Sequence, residues 1–324
     1  MKTILIYTNK STFVKRDIEM LKCEEYHFKN SKKLFIFSII KQFFYFLFHP
    51  YQKYIIWFCD YHAIIPVLFS KLYGKSIILV GGYDAMSLPE LRYGIFYKNK
   101  RKALIAKISY LLCDKIWVVD KSLIEGYNSY TKVKTGVRNF MKIRKDKFEV
   151  VPFGYELYKP LDIPRNIDFL TVGNITDKRT FKRKGFYKFV EMAIQMPDKK
   201  FVIIGAKDLF LKRGFNGIYN LTVYKNVPIN KVLRLMNESK VYCQFSKAEG
   251  LPNTLCEAML MGCVPIGTKV NGIPRAIGKT GIVTNKITKE KMLKALSMNG
   301  EPARQRIMKK FPKGKRLKKL NSEL

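Results

Sequence analysis

Two carboxylates carry the clearest chemistry in this sequence. Glu249 and Glu257 flank seven residues in the run Ser246-Lys247-Ala248-Glu249-Gly250-Leu251-Pro252-Asn253-Thr254-Leu255-Cys256-Glu257, which continues to Gly262-Cys263-Val264-Pro265-Ile266-Gly267-Thr268. The run reads as strand, loop, helix, glycine stop and strand. Gly250 and Pro252 double the loop back, so both carboxylates can point at one crevice. A carboxylate accepts hydrogen bonds and can hold two vicinal hydroxyls, such as those of a ribose or hexose ring. The start of the helix beside them offers free N–H groups and a positive dipole end, which suit a diphosphate. A second reading of the same residues stays open: Thr254 and Glu257 fit the T-x-x-E capping box, which would make Glu257 a structural cap. In the first half, Gly81-Gly82-Tyr83-Asp84 follows an apolar run. Two glycines there permit close backbone approach to a ligand. Asp84 is either a contact to a bound ligand, or the cap of a glycine turn. His62 either faces a cleft or is a structural residue before an apolar helix.

The elements that must hold these residues alternate along almost the whole chain. Strands are expected at 4–7, 54–58, 77–80, 116–119 and 148–151, with helices at 13–22, 63–72, 103–112 and 122–130. In the second half, strands are expected at 169–172, 201–204, 221–224, 241–245, 264–266 and 281–283, with helices at 185–196, 231–237, 255–261 and 289–298. Strands separated by helices imply parallel sheets covered on both faces. A boundary is expected in the proline-bearing stretch 151–164, which holds Pro152, Pro160 and Pro164 and lacks periodicity. The expected architecture is α/β: two doubly wound, Rossmann-like domains facing a central cleft, with ligands at the carboxyl ends of the strands. The first domain would span 1–155 and the second 156–300, and 301–324 would form a helix and a basic tail.

Length and composition fit two globular domains. The chain has 324 residues, of which 47% are hydrophobic and 14% aromatic. Lys plus Arg is 61 against 25 acids, a formal charge of +36, which attracts nucleic acid, anionic lipid or phosphorylated small molecules without choosing among them. The six cysteines form no C-x-x-C pair, and with three histidines they show no zinc spacing, so a reduced, cytoplasmic setting is expected. The stretch 34–48 is apolar but interrupted by Lys41 and Gln42, and it is too short to span a bilayer. Basic and aromatic over 33–48, it is either an interfacial helix or a buried helix of the first domain.

The Glu-x7-Glu block, with Glu249-Gly250-Leu251-Pro252-Asn253 before Glu257-Ala258-Met259 and then Gly262-Cys263-Val264-Pro265 and Asn271-Gly272-Ile273-Pro274, resembles the signature of retaining GT-B glycosyltransferases, in particular glycosyltransferase family 4. Val172-Gly173-Asn174 followed by Arg183-Lys184-Gly185 resembles the family's phosphate segment. Val151-Pro152-Phe153-Gly154-Tyr155-Glu156 resembles a P-N-G-V-D turn of the same family, and the resemblance implies that the first domain binds acceptor and the second the nucleotide-sugar donor. The likeness is good over about 160–285 and looser before it. It implies that Glu257 binds the nucleotide ribose, Glu249 holds hydroxyls of the transferred sugar, and Lys184 binds the diphosphate. It places Gly173, Asn174, Gly250, Leu251, Pro252 and Asn253 around the donor and Asp84 among the catalytic residues. Asn174 stands where the family usually has Arg, so Arg179 or Arg183 is expected to supply the second phosphate contact. Arg275 stands where Glu is usual, and Asn271 replaces a glycine.

The expected activity is transfer of a hexose-type sugar from a nucleotide-sugar donor to a glycan or lipid-linked acceptor, with retention of configuration. No cofactor or metal is expected, since fixed cations and helix N–H groups can stabilise the leaving diphosphate. The enzyme is expected to be cytoplasmic, to lie against the inner, anionic face of a membrane, and to bind no specific nucleic acid. The rival readings are a basic nucleic-acid-binding protein and a nucleotide-sugar hydrolase or isomerase on the same fold.

Overall fold

The computed structural model describes residues 2–29, 35–158, 160–206, 215 and 217–322. The chain divides into two compact units. The first is Met1–Tyr127, Val133–Phe153 and Gly314–Leu324, and the second is Asn128–Lys132 and Gly154–Lys313.

The first unit holds a six-stranded parallel sheet of β1 (Thr3–Tyr7), β2 (Glu24–His27), β3 (Lys53–Trp57), β4 (Lys75–Val80), β5 (Lys115–Val118) and β8 (Phe148–Val150), in the order β2-β1-β3-β4-β5-β8. The inner strands are buried end to end, as a sheet covered on both faces requires. Where the sequence suggests a helix at 122–130, the structure has a single helical turn at Lys121–Leu123 and then the short strand β6 (Gly126–Asn128), which pairs with β7 (Val133–Thr135). Gly126, a poor helix former, stands where the turn ends: a Cβ there would sit 2.3 Å from the Ser122 carbonyl oxygen, and from it the chain runs extended. The basic segment near the end also departs from expectation. From Gly314 the helix Lys313–Leu320 belongs to the first unit, and Arg316 is buried there instead of lying in an exposed tail. Its guanidinium donates to both oxygens of Asp17, at 2.7 and 2.5 Å, and to the carbonyls of Val151 and Pro152.

The second unit holds a parallel sheet of β9 (Ile167–Ile175), β10 (Phe201–Ala206), β11 (Leu221–Tyr224), β12 (Ser239–Gln244), β13 (Val264–Gly267) and β14 (Ile282–Val283), in the order β11-β10-β9-β12-β13-β14. Its core joins Phe169, Phe201, Val241 and Ile266 of the strands to Phe186, Phe189 and Met192 of the helix Phe186–Gln195. Each such side chain contributes about 1.5–3 kcal/mol by leaving water. The strand order reverses between β9 and β12, so their carboxyl ends diverge. Ligands bind in the crevice at such a point in doubly wound sheets.

Candidate active site

The loops leaving β9 and β12 bring most of the candidate residues together. After β9 the chain forms the helix Lys178–Arg183, capped by Asp177, whose carboxylate accepts from the Thr180 N–H at 2.7 Å. Gly185 then adopts φ +73, and a Cβ there would lie 1.9 Å from the Phe245 carbonyl oxygen. Only glycine permits this approach. It seats Arg183 and Lys184 against the loop after β12, where the Lys247 N–H donates to the Arg183 carbonyl at 2.7 Å.

That contact places Lys184 Nζ 2.5 Å from Glu249 Oε1. The same oxygen accepts from Ser246 Oγ at 2.8 Å and from Gln244 Nε2 at 3.4 Å. The Glu249 N–H donates to Asn271 Oδ1 at 3.3 Å. Burial pushes the Glu249 carboxyl upward, but the charges of Lys184 and Arg183 and the hydrogen bonds from Lys184 and Ser246 outweigh it and hold the group below its ordinary value. The result is a half-buried carboxylate kept ionised beside two cations.

Of the two arginines the sequence leaves open, Arg183 is the one at this loop. Its Nη1 lies 3.4 Å from the Ala248 carbonyl oxygen, and its charge acts on Glu249. Arg179 is exposed at the far end of its helix, 3.8 Å from Asp177. Gly173 is partly buried against Phe186 near the end of β9, and Asn174 after it is exposed. Gly250, Leu251 and Pro252 are buried in the turn of the loop. Asn253 opens the helix Asn253–Leu260 and accepts from the Tyr155 hydroxyl at 2.8 Å.

Glu257 lies in the second turn of that helix, later than expected, and is 6% exposed. The helix is capped by Pro252 with no side-chain bond, and Thr254 lies inside it, accepting from the Tyr242 hydroxyl at 2.8 Å. Thr254 is therefore not at the N-cap, and the capping-box reading of Glu257 loses its geometry.

Asp84 lies in the first unit, fully buried. Its Oδ1 accepts from the N–H groups of Gly81 and Gly82, and its Oδ2 from that of Cys59. Burial raises its carboxyl to about 6 against the opposing pull of these bonds. The carboxylate thus organises the glycine turn. His62 is also fully buried, with Nε2 3.0 Å from the Trp57 carbonyl oxygen, and burial lowers its imidazole to about 4. That is the structural alternative for His62.

The contacts that Gln244, Ser246 and Asn271 make to Glu249 are not legible in the sequence. Gln244 and Ser246 bind Glu249 from the end of β12, and the signal for them is a polar residue interrupting the apolar run Val241-Tyr242-Cys243. Asn271 takes φ +46, a left-handed backbone that asparagine tolerates better than most residues, which is why it can stand for a glycine.

Residues 166–298 match the family described as glycosyl transferases group 1. This matched segment contains every candidate residue except Asp84 and His62. No curated protein sequence matches the chain. Among solved structures, sucrose-phosphate synthase from Thermosynechococcus elongatus is similar at TM-score 0.74 and 11% identity, over 99% of this chain and 97% of that one. HepE from Anabaena, in complex with UDP, is similar at TM-score 0.73 and 12% identity, over 99% and 98%. The lipopolysaccharide outer core galactosyltransferase WaaB is similar at TM-score 0.65 and 13% identity, over 99% and 98%. With the two six-stranded parallel sheets, these likenesses establish the GT-B fold.

Proposed function

We propose that the chain transfers a sugar from a nucleotide-sugar donor to a glycan or lipid-linked acceptor, with retention of configuration. The observation that carries the reading is the Lys184–Glu249 pair beside Arg183 at the reversal point of the second sheet, inside the group 1 segment. Lys184 and Arg183 supply fixed positive charge for the leaving diphosphate, with the start of the helix Asn253–Leu260 adding N–H groups. Glu249, with Oε1 held by Lys184, Ser246 and Gln244, offers Oε2 to hydroxyls of the transferred sugar. Glu257 takes the ribose hydroxyls. The complexes of HepE with UDP and with UDP-glucose support a uridine nucleotide as the first donor to try.

In this reading no cofactor takes part and protein cations stand in for a metal. The test is calorimetric titration of UDP with and without EDTA, into wild type and Lys184→Ala. The expected affinity is the same with and without EDTA. Lys184→Ala should bind about 10- to 100-fold more weakly, since a charge-assisted contact contributes about 1.5–3 kcal/mol. Binding that needs added magnesium or manganese, or that ignores the loss of Lys184, would overturn this reading.

A further inference from the structure

The helix Phe35–Phe48 is turned inside out for a helix surrounded by water. Its buried positions are Ser38, Gln42 and Phe46, and two of the three are polar. Ser38 Oγ donates to the Lys29 carbonyl, and Gln42 Nε2 donates to that of His62. Its apolar residues face outward instead: Ile36 is 74%, Phe37 62%, Phe44 50% and Phe48 71% exposed. An ordinary surface helix has the reverse arrangement.

The exposed apolar surface continues onto two neighbours. This helix packs beside Ile64–Tyr73, and that one beside Lys100–Leu112. Right-handed crossovers between parallel strands put all three on one face of the first sheet. Leu72 is 73% exposed on the second helix and Leu104 58% on the third. Contiguous apolar surface of this kind marks an interaction site. The charge on the three helices has one sign. They carry Lys41, Lys71, Lys100, Arg101, Lys102 and Lys107, and no acidic residue. Lys71 and Lys102 are paired with Asp114 and Asp60 of the adjoining loops, which leaves Lys41, Lys100, Arg101 and Lys107 as the surface cations of the face.

We propose that these three helices form a docking face for an anionic lipid bilayer. Aromatic and aliphatic side chains enter the boundary between headgroups and acyl chains, and the lysines and arginine meet the lipid phosphates. Lys41, in the middle of the apolar stripe, reaches the headgroups along its own methylenes. A second copy of this chain is the poorer occupant, because a twofold contact through this face would oppose cation to cation. The inference rests on the first unit alone and stands apart from the transfer reading.

The test is sedimentation of the full chain with vesicles of phosphatidylcholine alone or with about one-third phosphatidylglycerol, at low and high salt. Binding is expected to the anionic vesicles, weakened by salt, and little to the neutral ones. Phe37→Ser combined with Phe44→Ser and Phe48→Ser should reduce partition about tenfold or more. Lys41→Glu with Arg101→Glu should reduce it on anionic vesicles only. UDP affinity, measured on the same samples, should not change in either variant, which separates a failed docking face from a failed donor site. Equal binding to both vesicle types, or none, would overturn the proposal. So would a stable dimer that the aromatic substitutions split while vesicles stay unbound.

Discussion

Glu249 and Glu257 sit in one segment but in different surroundings, and they should fail differently. Glu249 is held ionised by Lys184 and Arg183 and is oriented by Ser246 and Gln244. Glu257 is buried in the second turn of its helix. In the proposed mechanism Glu249 touches the moving sugar and Glu257 the part of the donor that does not react. Glu249→Gln keeps size but removes charge where charge changes in the transition state. It should lower turnover more than it weakens UDP binding. Glu257→Gln should weaken UDP and donor binding by about 1.5–3 kcal/mol, with a smaller effect on turnover of bound donor. Titration of UDP beside kcat for each variant reads the split. Equal effects of the two substitutions on UDP affinity would contradict the assigned roles. The Glu-x7-Glu spacing made these two residues legible in the sequence. Their partners were less so, because Gln244, Ser246 and Asn271 act through geometry that the fold supplies.

At the scale of elements, alternation of apolar strands and amphipathic helices made the inner strands of both sheets readable to within a few residues. The missed elements lack that signal. Among the described residues strand β2 pairs with β1 at the sheet edge, and its sequence Glu24-Glu25-Tyr26-His27 is mostly exposed, so no apolar alternation marks it. The helix Lys178–Arg183 buries no residue and has no apolar stripe to detect. The helix Lys313–Leu320 looked like a basic tail because one buried arginine is indistinguishable in sequence from its solvated neighbours. Its role is set by Asp17, which lies far away in the chain and also accepts from Trp57 Nε1 at 2.9 Å. Removing one partner of a buried, hydrogen-bonded ion pair leaves the other charge uncompensated, at a cost of about 3–5 kcal/mol. Arg316→Ala should therefore lose that much stability in urea unfolding. Lys315→Ala, at the exposed neighbouring position, should lie within about 0.5 kcal/mol of wild type. A mild Arg316→Ala would show that the last helix does not anchor the first unit.

For the whole molecule, no described helix is long and apolar enough to cross a membrane. The proposed docking face would use the outward-facing aromatics on Phe35–Phe48 and four of the cations behind the charge of +36. In the proposed function the second unit carries the donor chemistry through Lys184, Arg183, Glu249 and Glu257. A hydrolase or isomerase on this fold would use the same donor groups, so donor binding alone does not separate those activities from transfer. The deciding measurement is release of UDP from a UDP-sugar, in EDTA, with and without a glycan or lipid-linked acceptor. Transfer predicts that release depends on the acceptor and appears together with a product carrying the sugar in its original anomeric configuration. Release at the same rate without acceptor, yielding free sugar, would contradict the account.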